Sequence, residues 1–448
     1  MSIQPVLLWS DALLFVLIAA IIALTLWARR EDNLRAAWGR VLRDGVAMAA
    51  ATVLAAFVVI GLLDSLHYRA RLDSKPGEPV RYAVEVHSAL DALLSDLRLR
   101  GEKTYSAPLA THLYAKEAIG DTANRDFPRL KHGGAHLSAD LDAHGSDIAK
   151  RVLLGAAAGL ALWGLLRVLL RRLRRPDGMA IDAVLLTLLP ILLLAGAMTA
   201  LAGGYHVFGT DKVGQDVLYL SLKSIRTGLL IGTLTTLVML PLAVLLGILA
   251  GYVGGWVDDL IQYLYTTLSS IPGVLLIAAA VLMMQVIIDT HPQWFATSAE
   301  RADARLLALC LILGMTSWTG VARLLRGETL KLRELEFVQA AQAFGVGRFA
   351  IMGRHILPNL MHIVLIALVM DFSGLVLAEA VLSYVGVGVD PSTISFGTMI
   401  NTARMELARE PMVWWSLLAA FGFMFALVLA ANLFADAVRD AFDPRLAK

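Results

Sequence analysis

The chain has 448 residues, of which 58% are hydrophobic, a mean hydropathy of +0.67 and a formal net charge of +2. Such a composition lies far above that of soluble proteins and places the chain among polytopic membrane proteins, while the near-neutral charge excludes the basic footprint of a nucleic-acid binder. The single cysteine, Cys310, sits inside an apolar run, so no disulfide framework exists.

The first apolar run, 5–27, is long enough to cross a bilayer, which takes about 20 residues. No basic region precedes it and it ends in WARRED rather than a small-residue cleavage site, so no cleavable signal peptide is expected. A polar stretch, 29–43, carries five arginines and leads to a second span, 45–63. Together these make an N-terminal extension, 1–63. Residues 64–150 follow as a long soluble insert. Within it Val86, Leu90, Leu93, Leu94 and Leu97 recur at helical spacing, which predicts a small helical layer. Its glycine-rich end holds His132, His136, His144, Asp140 and Asp142. A metal site is one reading of that group, but the spacings match no ligand pattern and a solvated polar loop is the simpler one.

A third span, 151–170, is followed by Arg171, Arg172, Arg174 and Arg175 and belongs to segment 151–178. A fourth, 179–202, opens segment 179–222, a span with an outer loop. The core, 223–441, contains spans at 227–250, 260–288, 305–325, 360–384 and 413–434, and a short tail, 442–448, ends the chain. That makes about nine transmembrane helices and an all-α polytopic fold. Gly251, Gly254 and Gly255 suit a tight reversal before the 260–288 span, and Pro272 predicts a kink inside it. Short arginine-rich loops prefer the cytoplasm. In a nine-span count 29–43, 167–175, 323–354 and the tail, with Arg439, Arg445 and Lys448, fall on that side. The N-terminus and the insert then lie outside.

Residues 336–359, EFVQAAQAFGVGRFAIMGRHILPN, form a polar, small-residue segment between two apolar runs. Phe337, Ala340, Ala341 and Phe344 give a first short helix one smooth apolar face. Gly345 stands where a helix end needs a left-handed residue. Residues 346–355 predict a second short helix, and Pro358 marks the entry to the next span. Ala340 and Ala341 are small enough to let another surface approach the backbone. A projecting hairpin of this kind suits docking to a cytosolic partner.

This stretch resembles the cytoplasmic coupling loop, or EAA loop, of ABC importer permeases, here 327–359. Ala340, Ala341, Gly345, Leu357 and Pro358 match its pattern; Gln339 stands where the family has glutamate, which shifts the polar role toward Glu336. The RHILPN ending is similar to the oligopeptide and dipeptide permease branch. So are 208–218 (with Gln215 in place of arginine), 250–262, 377–392 (followed by Phe396 in place of tryptophan) and 434–446. The resemblance spans roughly 207–446 and leaves out the insert and the first two spans; a lid or a docking surface for a periplasmic protein is suggested for the insert by position alone. It implies a type I ABC importer permease core in a bacterial inner membrane, working with a second permease chain of different sequence, two ATPase subunits and an extracytoplasmic solute-binding protein, with peptides as the solute. It assigns the ATPase coupling role to Glu336, Gln339, Ala340, Ala341, Gly345, Arg354, His355 and Pro358.

No GxxxxGK[ST] phosphate loop or catalytic constellation occurs, so the chain is expected not to be an enzyme and to hold no cofactor; ATP-Mg belongs to the partner ATPases. Asp371 and Glu379 lie in the span after the coupling loop, where a carboxyl is costly and faces a bundle interior or a water-filled path. They are candidates for the solute path, with a structural partnership as the alternative. Asn432 and Asp436 read as interfacial. His355 and His362 share a helical face, but Pro358 intervenes and a structural role is preferred. An ion-coupled secondary transporter using Asp371 and Glu379 is the rival mechanism, and a non-transporting membrane scaffold is a second rival. A nickel complex, glutathione or an antimicrobial peptide are rival solutes within the family.

Overall fold

The computed structural model describes residues 3–28, 32–72, 81–118, 125–137, 143–172 and 178–442. Arg29, Arg30, Asp140, Asp142, Arg174, Arg175, Arg445 and Lys448 lie outside the described residues. In chain order the helices are α1 (Trp9–Ala28), α2 (Asp32–Arg43), α3 (Gly45–Ser65), α4 (Ala89–Leu93), α5 (Ser95–Leu99), α6 (His144–Arg172), α7 (Ile181–Ala202), α8 (Val217–Val253), α9 (Gly255–Ser270), α10 (Gly273–Thr290), α11 (Ser298–Ser317), α12 (Thr319–Arg333), α13 (Glu336–Ala343), α14 (Arg348–Ile351), α15 (Leu357–Val385), α16 (Phe396–Glu406) and α17 (Trp415–Phe442). The strands are short: β1 (Ile3–Val6), β2 (His67–Ala70), β3 (His87–Ser88), β4 (Glu117–Ala118) and β5 (Arg125–Asp126).

Among the described residues eight stretches are long and apolar enough to cross a bilayer: α3, α6, α7, α8, α10, α11 with α12, 348–385, and α17. The remaining expected span is α1, a 20-residue helix with a shorter apolar core at Trp9–Ala23. The expected kinked span over 260–288 is instead two helices. Ile271 is extended, at φ −89° and ψ 133°, because the ring of Pro272 disfavours helical backbone in the residue before it. Only α10 is then a span.

The described residues form two compact units. One comprises described residues of 1–7, 38–228 and 391–433, the other those of 8–37, 229–390 and 434–448. In the first, α6 and α7 form a close antiparallel hairpin. Gly155 lies on the backbone of Gly196 and Gly159 on that of Leu192, so that any Cβ at these glycines would collide with a carbonyl. Small residues allow this approach, which is how membrane helices gain contact without a hydrophobic driving force between them. Trp163 Nε1 donates across the pair to Leu185 O at 2.7 Å.

The insert of this unit forms the helix that the leucine spacing predicts, but only over 89–99. That stretch is α4 and α5, five residues each, and Leu93 is 71% exposed while Leu90 and Leu97 are buried. A run of 102–110 is fixed instead by the loop before α8. Glu102 N–H donates to Gly214 O at 2.9 Å, Thr210 N–H to Ser106 O at 3.1 Å and Leu109 N–H to His206 O at 2.9 Å. These tertiary backbone bonds replace helical ones. β1, β2 and β3 make an antiparallel sheet, with Ile3 opposite Ala70 and His67 opposite Ser88. His206 is the buried centre of the attachment: its Nδ1 lies 2.7 Å from Asp216 and its Nε2 3.4 Å from Glu102. Glu102 also accepts from the amides of Lys131, His132 and Gly133. Trp415, between Tyr105 and Tyr114, donates to Thr210 O at 2.9 Å. Of the histidines at the insert's glycine-rich end, His136 meets Asp147 at 2.7 Å and His144 meets Leu109 O at 3.0 Å.

In the second unit two apolar clusters build the core. One includes Leu230, Leu234, Leu309 and Leu313, the other Met239, Ala243, Leu325, Val338, Ile351 and Leu360. Gly247 and Gly251 let α8 lie against the backbone of Ala322 and Arg326 in α12. The expected reversal therefore uses only Gly254 and Gly255, with φ of +67° and +58°. α1 joins this unit through Ser10, whose N–H and hydroxyl both donate to the buried carboxylate of Asp303 in α11.

Candidate coupling loop and membrane-embedded acids

The hairpin expected between 336 and 359 is present. α13 ends in a Schellman closure. Gly345 N–H donates to Gln342 O at 3.0 Å and Val346 N–H to Ala341 O at 3.1 Å, and Gly345 has the required positive φ, +77°. The second helix does not stop before the next span. α14 passes through one π-turn, Met352–Ile356, into α15, with Pro358 at the start of α15. Proline has no N–H for the carbonyl four residues back and its ring crowds that carbonyl; the wider turn accommodates both defects without breaking the axis.

Burial divides the expected apolar face in two. Val338 (0% exposed) and Ala341 (8%) enter the core cluster beside Ile351 and Ile356, while Phe337, Phe344 and Phe349 are exposed, the last two by more than 80%. Ala341 is thus turned away from any docking partner, because α13 packs on α12 and its buried stripe runs through 338 and 341. Of the two alanines only Ala340 is on the open face. Glu336, Gln339, Arg354 and Pro358 are exposed there too, and His355 lies with its ring 6.3 Å from that of Phe337. Gln342 Nε2 donates to Tyr252 OH at 3.2 Å, which ties the hairpin to the end of α8. Next to it Arg326 grips Asp258 with two bonds of 2.6 Å, pinning α9 to α12. The Arg326 guanidinium holds the Asp258 carboxyl below its ordinary range. Residues 68 apart in the chain give no sequence signal for this fork. Phe349 was equally hidden, since its spacing alone suits a core position.

The two acids of α15 occupy different settings. Asp371 stands on the stripe of α15 that also carries the buried Leu360, Val364, Ala367 and Leu375. Its Oδ2 is buried without a hydrogen-bond partner among the described residues. Glu379 is 2% exposed and accepts from Ser383 Oγ at 2.7 Å. Neither carboxyl is on an open surface of this unit.

Residues 243–448 match the family model of the binding-protein-dependent transport system inner membrane component. The oligopeptide transport system permease protein of Mycobacterium bovis is 31% identical over 242 residues, covering 54% of this chain and 77% of that protein. The dipeptide transport system permease protein of Lactococcus lactis subsp. cremoris is 30% identical over 54% of this chain and 64% of its own length. A glutathione transport system permease protein of Pectobacterium atrosepticum is 31% identical over 54% and 73%. The 336–359 hairpin and the acids of α15 thus lie in the segment that the family model matches, and the chain belongs to the binding-protein-dependent transport family as a multi-pass inner-membrane permease component of ABC type.

Proposed function

We propose that this permease carries short peptides inward, driven by ATP hydrolysis in two partner ATPase subunits that dock on the 336–359 hairpin. The observation that carries the docking role is the open face of the hairpin. Phe337 and Phe344 between the spans, and Phe349 at the very start of 348–385, expose aromatic surface next to Ala340 and Gln339. The peptide solute is supported by the oligopeptide, dipeptide and glutathione names of the relatives, glutathione being itself a tripeptide. A second, different permease chain completes the path, and an extracytoplasmic binding protein delivers the solute. Closure of the ATPase pair moves the hairpin; the spans rock from inward-facing to outward-facing; the solute enters, and hydrolysis resets the cycle. Asp371 contributes to the path when the helices part, since an unpaired buried carboxyl oxygen is retained at a cost.

The test is uptake of labelled di- and tripeptides into proteoliposomes holding the complete transporter. Uptake is expected to need ATP, to resist an uncoupler, and to be lost with ATPase retention in Phe344→Asp/Phe349→Asp. Uptake driven by an ion gradient without ATP would establish the secondary-transport reading instead.

A further inference from the structure

The arginines of the N-terminal extension take no part in the hairpin or in the path. Arg40 and Arg43 lie exposed in the last turn of α2, a helix whose Val41 is 3% exposed. Two contacts fix that turn to the start of α7. Ala180 N–H donates to Leu42 O at 2.9 Å. The Arg43 side chain lies over Gly178, where a Cβ would come within 2.8 Å of Arg43 Nε. Arg171 and Arg172, both exposed, stand in the last turn of α6, and Arg171 Nη2 is 3.7 Å from Asp182 Oδ1 in the first turn of α7. α3 begins there as well: Gly45 adjoins Ala183, and Asp44 is occupied in capping α3 through Ala47 N–H at 2.8 Å. Four exposed arginines therefore stand in the last turns of α2 and α6, two of them in contact with 178–182 at the start of α7, where α3 also begins. Among the described residues Asp182 is the one carboxylate within ion-pair reach of them, and its side chain is 94% exposed.

Ends of membrane helices lie at headgroup level, where the negative groups are phosphate esters. A guanidinium matches two phosphate oxygens at once, and every basic residue in 28–43 and 167–175 is arginine rather than lysine. A helix apolar on one side and basic on the other lies in this interface. We propose that the end of α2 and the facing ends of α6 and α7 form a binding site for the headgroup of an anionic phospholipid. Arg40 and Arg43 hold the phosphate from one side, Arg171 and Arg172 from the other. The lipid thereby clamps the N-terminal extension to the α6–α7 hairpin.

Native mass spectrometry of the purified full-length chain, titrated with phosphatidylglycerol or phosphatidylcholine, reads the bound lipid directly. The wild type is expected to retain phosphatidylglycerol about tenfold better, and Arg40→Gln/Arg43→Gln/Arg171→Gln/Arg172→Gln to lose that preference. Should the fourfold variant not fold, Arg43→Gln and Arg171→Gln singly, each lowering retention about threefold, decide in its place. Equal retention by wild type and folded variants overturns the proposal. So does displacement of the lipid by millimolar inorganic phosphate, which would mark a site for the free ion.

Discussion

At Gly345 a side chain would meet empty space, so backbone strain alone opposes substitution. Gly345→Val is expected to cost about 1 kcal/mol and to turn the second helix off its course, while Gly345→Asn, which tolerates positive φ, costs less. The readout is co-purification of the ATPase subunits: lost with valine, kept with asparagine. The two neighbouring alanines separate docking from folding. Ala341→Asp puts a charge into the core cluster and should lower the unfolding temperature; Ala340→Asp should leave it unchanged yet abolish ATPase retention. Equal behaviour of the pair would sink the assignment of the open face. His206 supplies a different handle. Burial pulls its imidazole pKa down, but the carboxylates of Asp216 and Glu102 more than offset this and lift it to about 9. The folded value is above the ordinary one, so this stabilisation is complete below about pH 6.5 and is lost as pH rises through 9. Glu102 shifts the other way, to about 2; burial opposes that shift, and the bonds from His206 and three backbone amides outweigh it. Its contribution is present above about pH 4.5 and goes only in strong acid. Thermal unfolding should therefore fall between pH 6.5 and 9.5 in the wild type, whereas His206→Gln should be weaker at pH 6.5 and nearly flat across the same range.

Among the elements, the α6–α7 hairpin depends most on the absence of side chains. Gly159→Leu would drive a branched group into the Leu192 carbonyl, and separating the helices is the only relief. The expected result is a loss of at least about 2 kcal/mol, seen as a lower detergent-unfolding midpoint, against little change for Gly164→Leu, which has open space. An unchanged midpoint in Gly159→Leu would mean that the hairpin opens freely. The glycines themselves were plain in the sequence; their partner was not, because a small residue shows where a close approach is possible and not what approaches. The same division runs through the other elements. The spans were legible because a bilayer demands long apolar runs, and the end of α13 because Gly345 has few other uses. The orientation of α13 was hidden, since an eight-residue helix with apolar residues on both faces has no periodicity to resolve them. In the insert Leu90, Leu94 and Leu97 announced the helical stretch 89–99, whereas 102–110 is held by backbone bonds to 206–214 that no spacing shows.

For the molecule as a whole the arginine distribution predicts an orientation that labelling can check. In a Cys310→Ala background, Lys103→Cys should react with a membrane-impermeant thiol reagent from outside intact spheroplasts, and Gln342→Cys should react only after lysis. Both side chains are exposed, so a failure to react cannot come from burial. Reaction of Gln342→Cys in intact cells would invert the placement of the hairpin.

The unbroken passage from α14 through the π-turn into α15 makes one continuous helix of the hairpin's second arm and the next span. A helix of the extent 348–385 is about 57 Å long at 1.5 Å per residue, nearly twice the apolar thickness of a bilayer. Asp371 lies slightly outward of its midpoint and Ser383 near its far end. Tilting such a beam by about 10° around its middle carries each tip about 5 Å, in opposite senses. A single stroke applied at Phe349 therefore displaces the outer tip by an equal amount the other way and leaves the centre almost still. Under the proposed cycle, one continuous helix would thus link the docking end to the outer end, and the two would move in opposite senses.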